Sequence, residues 1–353
     1  MNKRLIAALF AVGLTASLVL TGCGKGTNKE SGATENSKVV NVYSDRHYDT
    51  DKAIFESFTK KTGVKVNIVE GKSDELIERM AREGKDTKAD LLITADAGRL
   101  HRAKDKGLLQ PVKSDVLAKN VPSNLKDKDD QWYALTKRGR VIVYSKDRVK
   151  PSDLSTYEAL TEPKWKGKVL VRSSSAVYNQ SLLASFIEIN GEEKAEKWAK
   201  GIVNNLAREP KGNDRDQAKA IVAGAGDVAI MNTYYVGKML NSSDQEEVKV
   251  AKKVGVFFPN TETTGTHINV SGAGITKNSS NKDNALKLVE YLSSEEAQKQ
   301  FADGNYEYPV NPKVEPSELL KSWGGFKTQD INLSKLGENN KKAVEIFNKV
   351  NWK

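Results

Sequence analysis

Tyr234 and Tyr235 stand side by side shortly after the apolar run Val228-Ala229-Ile230-Met231, with Asn232-Thr233 between. Far upstream, His47-Tyr48 follows another apolar run, and His47 is one of only three histidines in the chain. A phenol is ordinarily a modest hydrogen-bonding group that keeps its proton below a pH of about 10. A bound cation favours the ionised oxygen, so metal binding at phenols releases protons and weakens in acid. Phenolate oxygens beside an imidazole suit a small, hard, highly charged ion, and Fe(III) is the first candidate. Three or four phenolates cancel most or all of its charge, whereas zinc or manganese gains less from so many anions.

Three segments share one local pattern that would position these groups. Val39–Tyr43 reads as a strand, leads into Ser44-Asp45-Arg46-His47-Tyr48 and is followed by a helix over 51–61. Lys168–Val171 reads as a strand, leads into Arg172-Ser173-Ser174-Ser175-Ala176-Val177-Tyr178 and is followed by a helix through Ile189. Val228–Met231 leads into Asn232-Thr233-Tyr234-Tyr235 and a third helix. Each pattern puts its ring residues beyond the C-terminal end of a strand, the edge where open α/β sheets bind ligands. His47, Tyr48, Tyr178, Tyr234 and Tyr235 form a poor catalytic set, since no nucleophile–base pair stands out. They form a good Fe(III) set.

A tyrosine doublet alone is usually packing, and so is a His-Tyr doublet. Recurrence at three matching strand ends is what lifts these residues above that background. Tyrosines also stack on sugars, but sugar clefts favour tryptophan and carboxylates beside them, and the five tryptophans (132, 165, 198, 323 and 352) lie elsewhere. Arg46 and Arg172 are placed either to hold phenolates or an anion by paired hydrogen bonds or to form surface salt bridges. Tyr43 is expected to pack at its strand end. His101, in the charged stretch Leu100-His101-Arg102-Ala103-Lys104, is expected to face solvent, and His267 sits in a loop near a possible hinge.

The remaining pattern argues for two α/β lobes. The body from residue 39 onward exceeds one common domain. Its opening β-α-β-α-β order, with Val64, Val66 and Ile68 alternating and Ala89–Ala95 apolar, predicts a largely parallel sheet covered by helices. Ser73 and Asp96 are positioned as helix caps. Trp132–Leu135 and Val141–Tyr144 read as two nearby strands; helices are predicted over 192–202, 217–223 and 282–292, with a glycine-containing apolar segment near 268–276. The expected division is lobe 1 over 39–137 with about 268–305, and lobe 2 over 138–267 with about 306–353.

Residues 1–22 read as an export signal: Lys3 and Arg4 open it, and an apolar run from Leu5 to Leu20 follows, too short for an ordinary membrane span. Leu20-Thr21-Gly22-Cys23 resembles a bacterial lipobox, which implies cleavage before Cys23 and lipid on its thiol. Cys23 is the chain's one cysteine, leaving none for disulfides or thiolate metal sites. Residues 24–38 are polar and tether-like, so anchoring would rest on lipid alone. The formal charge is +10, with 56 Lys and Arg against 46 Asp and Glu. The two signs are interleaved, as in Lys126-Asp127-Lys128-Asp129-Asp130, with no aromatic-spaced basic cluster and no zinc-finger spacing, which argues against nucleic acid.

The stretches Tyr-Ser-Asp-Arg-His-Tyr-Asp-Thr-Asp (43–51), Val-Arg-Ser-Ser-Ser-Ala-Val-Tyr-Asn-Gln-Ser (171–181) and Met-Asn-Thr-Tyr-Tyr (231–235) resemble the ferric-iron-binding proteins of bacterial ABC importers. The segment Tyr157–Leu160 to Pro163–Lys168 is similar to the wider superfamily. The resemblance runs over essentially the whole mature chain. It implies a two-lobed periplasmic-binding-protein type II fold with a hinge and a cleft. It also implies Fe(III) as transported ligand, phenolate ligands from Tyr48, Tyr178, Tyr234 and Tyr235, and His47 as ligand or close neighbour. The His-Tyr variant resembles members that need no synergistic anion. The implied partners are a membrane permease and its ATPase, with the binding protein itself a monomer on the outer face of a cell membrane or facing a periplasm. A binding protein for an organic or oxyanion solute, or a two-lobed enzyme, are the rival readings.

Overall fold

The computed structural model describes residues 38–46 and 48–353. The leader, Cys23, the tether up to residue 37 and His47 lie outside the described residues. Among the described residues there are nine strands: β1 (Val39–Ser44), β2 (Lys65–Glu70), β3 (Leu91–Ala95), β4 (Tyr133–Ser145), β5 (Val169–Leu170), β6 (Val228–Asn232), β7 (Val254–Phe257), β8 (Ile268–Ile275) and β9 (Tyr308–Pro309). They run in the order β2-β1-β3-β8-β4-β6-β5, with β7 and β9 also pairing to β4.

The expected parallel start is present: β1 pairs in parallel with both β2 and β3. The sheet then turns mixed, because β8 runs antiparallel to β3 and β4. The two nearby strands expected over 132–144 are instead one strand, β4. Its intervening Thr136-Lys137-Arg138-Gly139-Arg140 is polar, yet Thr136, Arg138 and Arg140 are buried within the strand. Side-chain partners on neighbouring elements offset part of that burial. The first half of β4 pairs with β8 and β9, and the second half with β6 and β7. One strand is thereby shared between two halves of the molecule.

Each half has its own core. In the first, helix Asp49–Thr62 buries Ile54, Phe55 and Phe58, and helix Ser73–Glu83 buries Leu76, Ile77 and Met80. These side chains join Val40, Val42, Leu91, Leu92, Leu288 and Phe301 in one cluster. In the second half the strands are covered on both faces, as period-two alternation requires. Ile142, Val228 and Ile230 pack with Tyr157, Phe186, Trp198 and Trp352 on one side. Val141, Val143, Ala229 and Met231 pack with Ile221, Val236 and Met239 on the other. The sequence-based helices recur as Val177–Asn190, Glu192–Asn204, Asp214–Val222 and Lys282–Leu292.

The halves meet where β8 begins. Arg140 N–H donates to the His267 carbonyl at 2.9 Å. The buried Tyr157 hydroxyl donates to the Arg140 carbonyl and accepts from His267 N–H. Three segments are tied at the crossing by one phenol.

Candidate metal centre

Three strand ends deliver the ring residues. Tyr48 occupies the cap position of helix Asp49–Thr62 with extended backbone (φ −87°, ψ 142°). Tyr178 is the second residue of helix Val177–Asn190, and Tyr234 and Tyr235 fall in the first turn of helix Thr233–Leu240. The Tyr178 loop is pinned from below. Asn179 Nδ2 donates to the carbonyls of Arg172 and Ser173, and Trp352 Nε1 also donates to the Arg172 carbonyl. Asp214 ties this loop to β6. It accepts from Arg172 (2.8 Å), from Arg140 (3.1 Å) and from the Asn232 N–H (3.1 Å).

The phenols converge. The Tyr178 and Tyr234 oxygens are 3.3 Å apart, and the Tyr234 and Tyr235 rings stack with centroids 4.2 Å apart. Burial pushes the Tyr234 phenol well above its ordinary range, and the neighbouring phenols of Tyr178, Tyr235 and Tyr48 push it further. Tyr235 is raised by burial and then by Tyr178; Tyr48 is raised by burial and then by the carboxylate of Glu307. Without a cation these three phenols keep their protons at neutral pH. A multivalent cation among them would reverse that preference.

Two charged residues at this site are not singled out by sequence. Arg138, on β4, is 1% exposed, and its guanidinium carbon stands 5.6 Å from the Tyr178 ring centre. Nη1 donates to Ser271 Oγ at 3.1 Å, while Nε and Nη2 have no hydrogen-bond partner among the described residues. Unused buried donors are uncommon, and phenolate oxygens nearby would satisfy them. Lys238, one turn beyond the tyrosine doublet, sets its Nζ 3.0 Å from the centre of the Tyr48 ring. Burial pushes the Lys238 ammonium down to about 8. The available signal for Arg138 was a charged residue between two apolar runs, and for Lys238 its helical spacing from Tyr234.

The arginines named from sequence have structural partners. Arg46 is buried, and its guanidinium pairs with Asp51 (2.6 and 3.0 Å) and Glu307 (2.9 and 3.2 Å) and donates to Ser271 (2.8 Å). The surface salt bridge considered for it is corrected to a buried network beneath the Tyr48 ring. Arg172 is partly exposed, engages Asp214, and borders a cavity of about 270 Å³ with Arg99, Ser173, Ser175, Tyr178 and Tyr235. Tyr43 is buried at its strand end as expected. His101 is not solvent-facing: helix Ala97–Asp105 packs it against Gly337, and Nε2 lies 3.2 Å from Asp105. His267 is buried at the crossing, with Nδ1 3.0 Å from Gln329 Oε1.

Residues 53–328 match the family described as bacterial extracellular solute-binding protein. The chain belongs to that family, and its fold is the family's two-lobed α/β architecture with a hinge and an inter-lobe cleft. Among curated relatives, Iron uptake protein A1 of Synechocystis is 47% identical over 357 positions, spanning 100% of this chain and 99% of that protein. The major ferric iron-binding protein of Neisseria meningitidis is 29% identical over 85% of this chain and 89% of its own length. Among solved structures, Trichodesmium FutA in complex with iron and citrate superposes with a TM-score of 0.87 at 52% identity, covering 89% of this chain and all of that one. The ferric binding protein from Campylobacter jejuni gives 0.84 at 45%, with the same coverage.

Proposed function

We propose that this protein captures Fe(III) in the cleft between its lobes and hands it to an ABC permease driven by an ATPase. The observation that carries the reading is the convergence of Tyr48, Tyr178, Tyr234 and Tyr235 beside the buried, under-used donors of Arg138. The four phenolates with His47 supply an oxygen-rich shell that needs no added anion. Arg172 already has its charge engaged by Asp214. Arg138 offsets part of the negative charge that four phenolates leave after neutralising a trivalent ion. The groups held by Asp214 and Asn179 keep two phenol-bearing loops in place before the metal arrives.

The lobes of this reading are 39–137 with about 268–305, and 138–267 with about 306–353. Val310, Leu333 and Leu336 of the last stretch pack in the first core, so that stretch supports both. Hinge closure of this kind is usual for two-lobed binding proteins. The lipobox-like sequence supports attachment to the membrane by lipid on Cys23, with the protein, read as a monomer, reaching its permease through the 24–38 tether. Among the described residues no helix is long and apolar enough to cross a membrane. Equilibrium dialysis against a ferric chelate, followed by iron analysis, tests the capture reading. One iron retained per chain is expected, and none retained would refute it. Cys23→Ala should release the protein from cells that otherwise hold it in the membrane fraction.

A further inference from the structure

The helix Thr233–Leu240 has a second turn that metal contacts do not use. Its residues Gly237 and Lys238 lie one turn past the tyrosine doublet. A glycine weakens a helix interior relative to alanine, and no left-handed backbone requires one here, since Gly237 is absent from the positive-φ glycines. Space requires it. A Cβ at 237 would lie 2.6 Å from Tyr306 Cβ and 2.8 Å from its Cγ.

Tyr306 cannot easily retreat. It falls at the approximate boundary between the lobes, but it caps helix Glu295–Asn305, whose Ala297 and Phe301 sit in the first core, and so it moves with the first lobe; its own backbone is left-handed at φ 55°, ψ 37°. On one side Asn305 Nδ2 donates to Asp51 at 2.9 Å. On the other, the carboxylate of Glu307 pairs with Arg46 at 2.9 Å. These are the groups that support Tyr48. The next helical residue, Lys238, lies over the Tyr48 ring itself. The second turn thus bears on the two first-core segments that hold Tyr48, and its first turn carries two of the phenols.

We propose that Gly237 is a positioning residue: its bare backbone lets the tyrosine-bearing helix seat on Tyr306, and cleft closure around the metal ends on this contact. Any side chain at 237 holds the helix off its seat and keeps Tyr234 and Tyr235 from reaching the metal together with Tyr48. The inference rests on the ferric-capture reading.

The test uses the full mature protein as wild type, Gly237→Ala, and Gly237→Ala with Tyr306→Gly. Ferric nitrilotriacetate is the iron source, small-angle X-ray scattering reads closure, and transfer to a competing chelator reads release. Wild type should contract on loading. Gly237→Ala should melt no lower than wild type without metal and still take phenolate colour through Tyr178, Tyr234 and Tyr235. It should contract less and release iron about ten-fold faster or more, the scale of losing a supporting contact at a metal site. The added Tyr306→Gly should restore contraction and slow release. If Gly237→Ala contracts and retains iron as wild type does, the seat is refuted while ferric capture stands. If it folds only together with Tyr306→Gly, the contact is a packing requirement of the metal-free protein and the proposal falls. If wild type itself neither contracts nor holds iron, capture and seat fall together.

Discussion

Replacing Arg46 by methionine separates a structural role from an anion-binding one. The guanidinium is buried and charge-paired to two buried carboxylates, Asp51 and Glu307, with a further bond to Ser271. Burial by itself would push the Glu307 carboxyl up, but Arg46 outweighs it and holds that carboxyl below the usual range. Methionine fills the volume and leaves both carboxylates without their cation. Breaking a buried pair from one side costs about 3–5 kcal/mol, far more than the 0–1 kcal/mol typical of a surface pair. The sign with pH follows from Glu307. A depressed carboxyl contributes stability that is present above its unfolded range and is lost as pH falls through the folded value. Arg46→Met should therefore be most damaging near neutral pH and less so in acid, where the carboxylates take up protons. Urea unfolding of metal-free wild type and variant at neutral and acid pH measures this. A loss below about 1 kcal/mol at neutral pH would refute the buried-network assignment and return Arg46 to the candidates for anion binding.

Tyr234→Phe and Tyr235→Phe each keep the stacked rings and remove one oxygen; for Tyr234, the 3.3 Å bond to Tyr178 goes too. Metal-free stability should change by about 1 kcal/mol or less, while ferric retention in chelator competition should fall by more than the roughly 10–100-fold typical of losing a supporting group. Unchanged retention in both would make the doublet a packing feature. Arg138→Met should weaken ferric retention by about 10–100-fold, with Arg138→Lys in between, because lysine keeps the charge but not the planar donor fork. Equal retention in all three proteins would remove Arg138 from the site. Burial holds His267 neutral down to about 3 against its ordinary 6.5. Because the unfolded chain then binds the proton first, stability should fall as pH drops from about 6.5 toward 3, with a slope of up to about 1.4 kcal/mol per pH unit. His267→Asn should flatten that slope in acid unfolding curves, and an unchanged slope would place the acid sensitivity elsewhere.

The placement of much of the candidate site was legible because short-range rules govern it. Apolar runs followed by a polar loop and a helix located Tyr48, Tyr178 and Tyr234-Tyr235 at strand ends. What escaped depends on long-range partners. Thr136–Arg140 reads as a polar break between two strands until Ser271, Glu307 and Asp214, all distant in sequence, are seen to engage part of its buried polar groups. The burial of His101 likewise requires Gly337, more than two hundred residues on. Lys238 reads as an ordinary helix-surface lysine because its neighbour is Tyr48, on the other half of the fold. The unused donors of Arg138 are a property of three-dimensional packing and have no local sequence signature.

The most direct measurement is a visible spectrum of the metal-loaded protein with elemental analysis on the same sample. Loading with a ferric chelate should give one iron per chain and a phenolate-to-iron absorption band, which bleaches on acidification as the raised phenols of Tyr48, Tyr234 and Tyr235 recover their protons. A colourless protein without bound iron would contradict ferric capture at the tyrosines, and iron bound without the band would place the metal on other ligands.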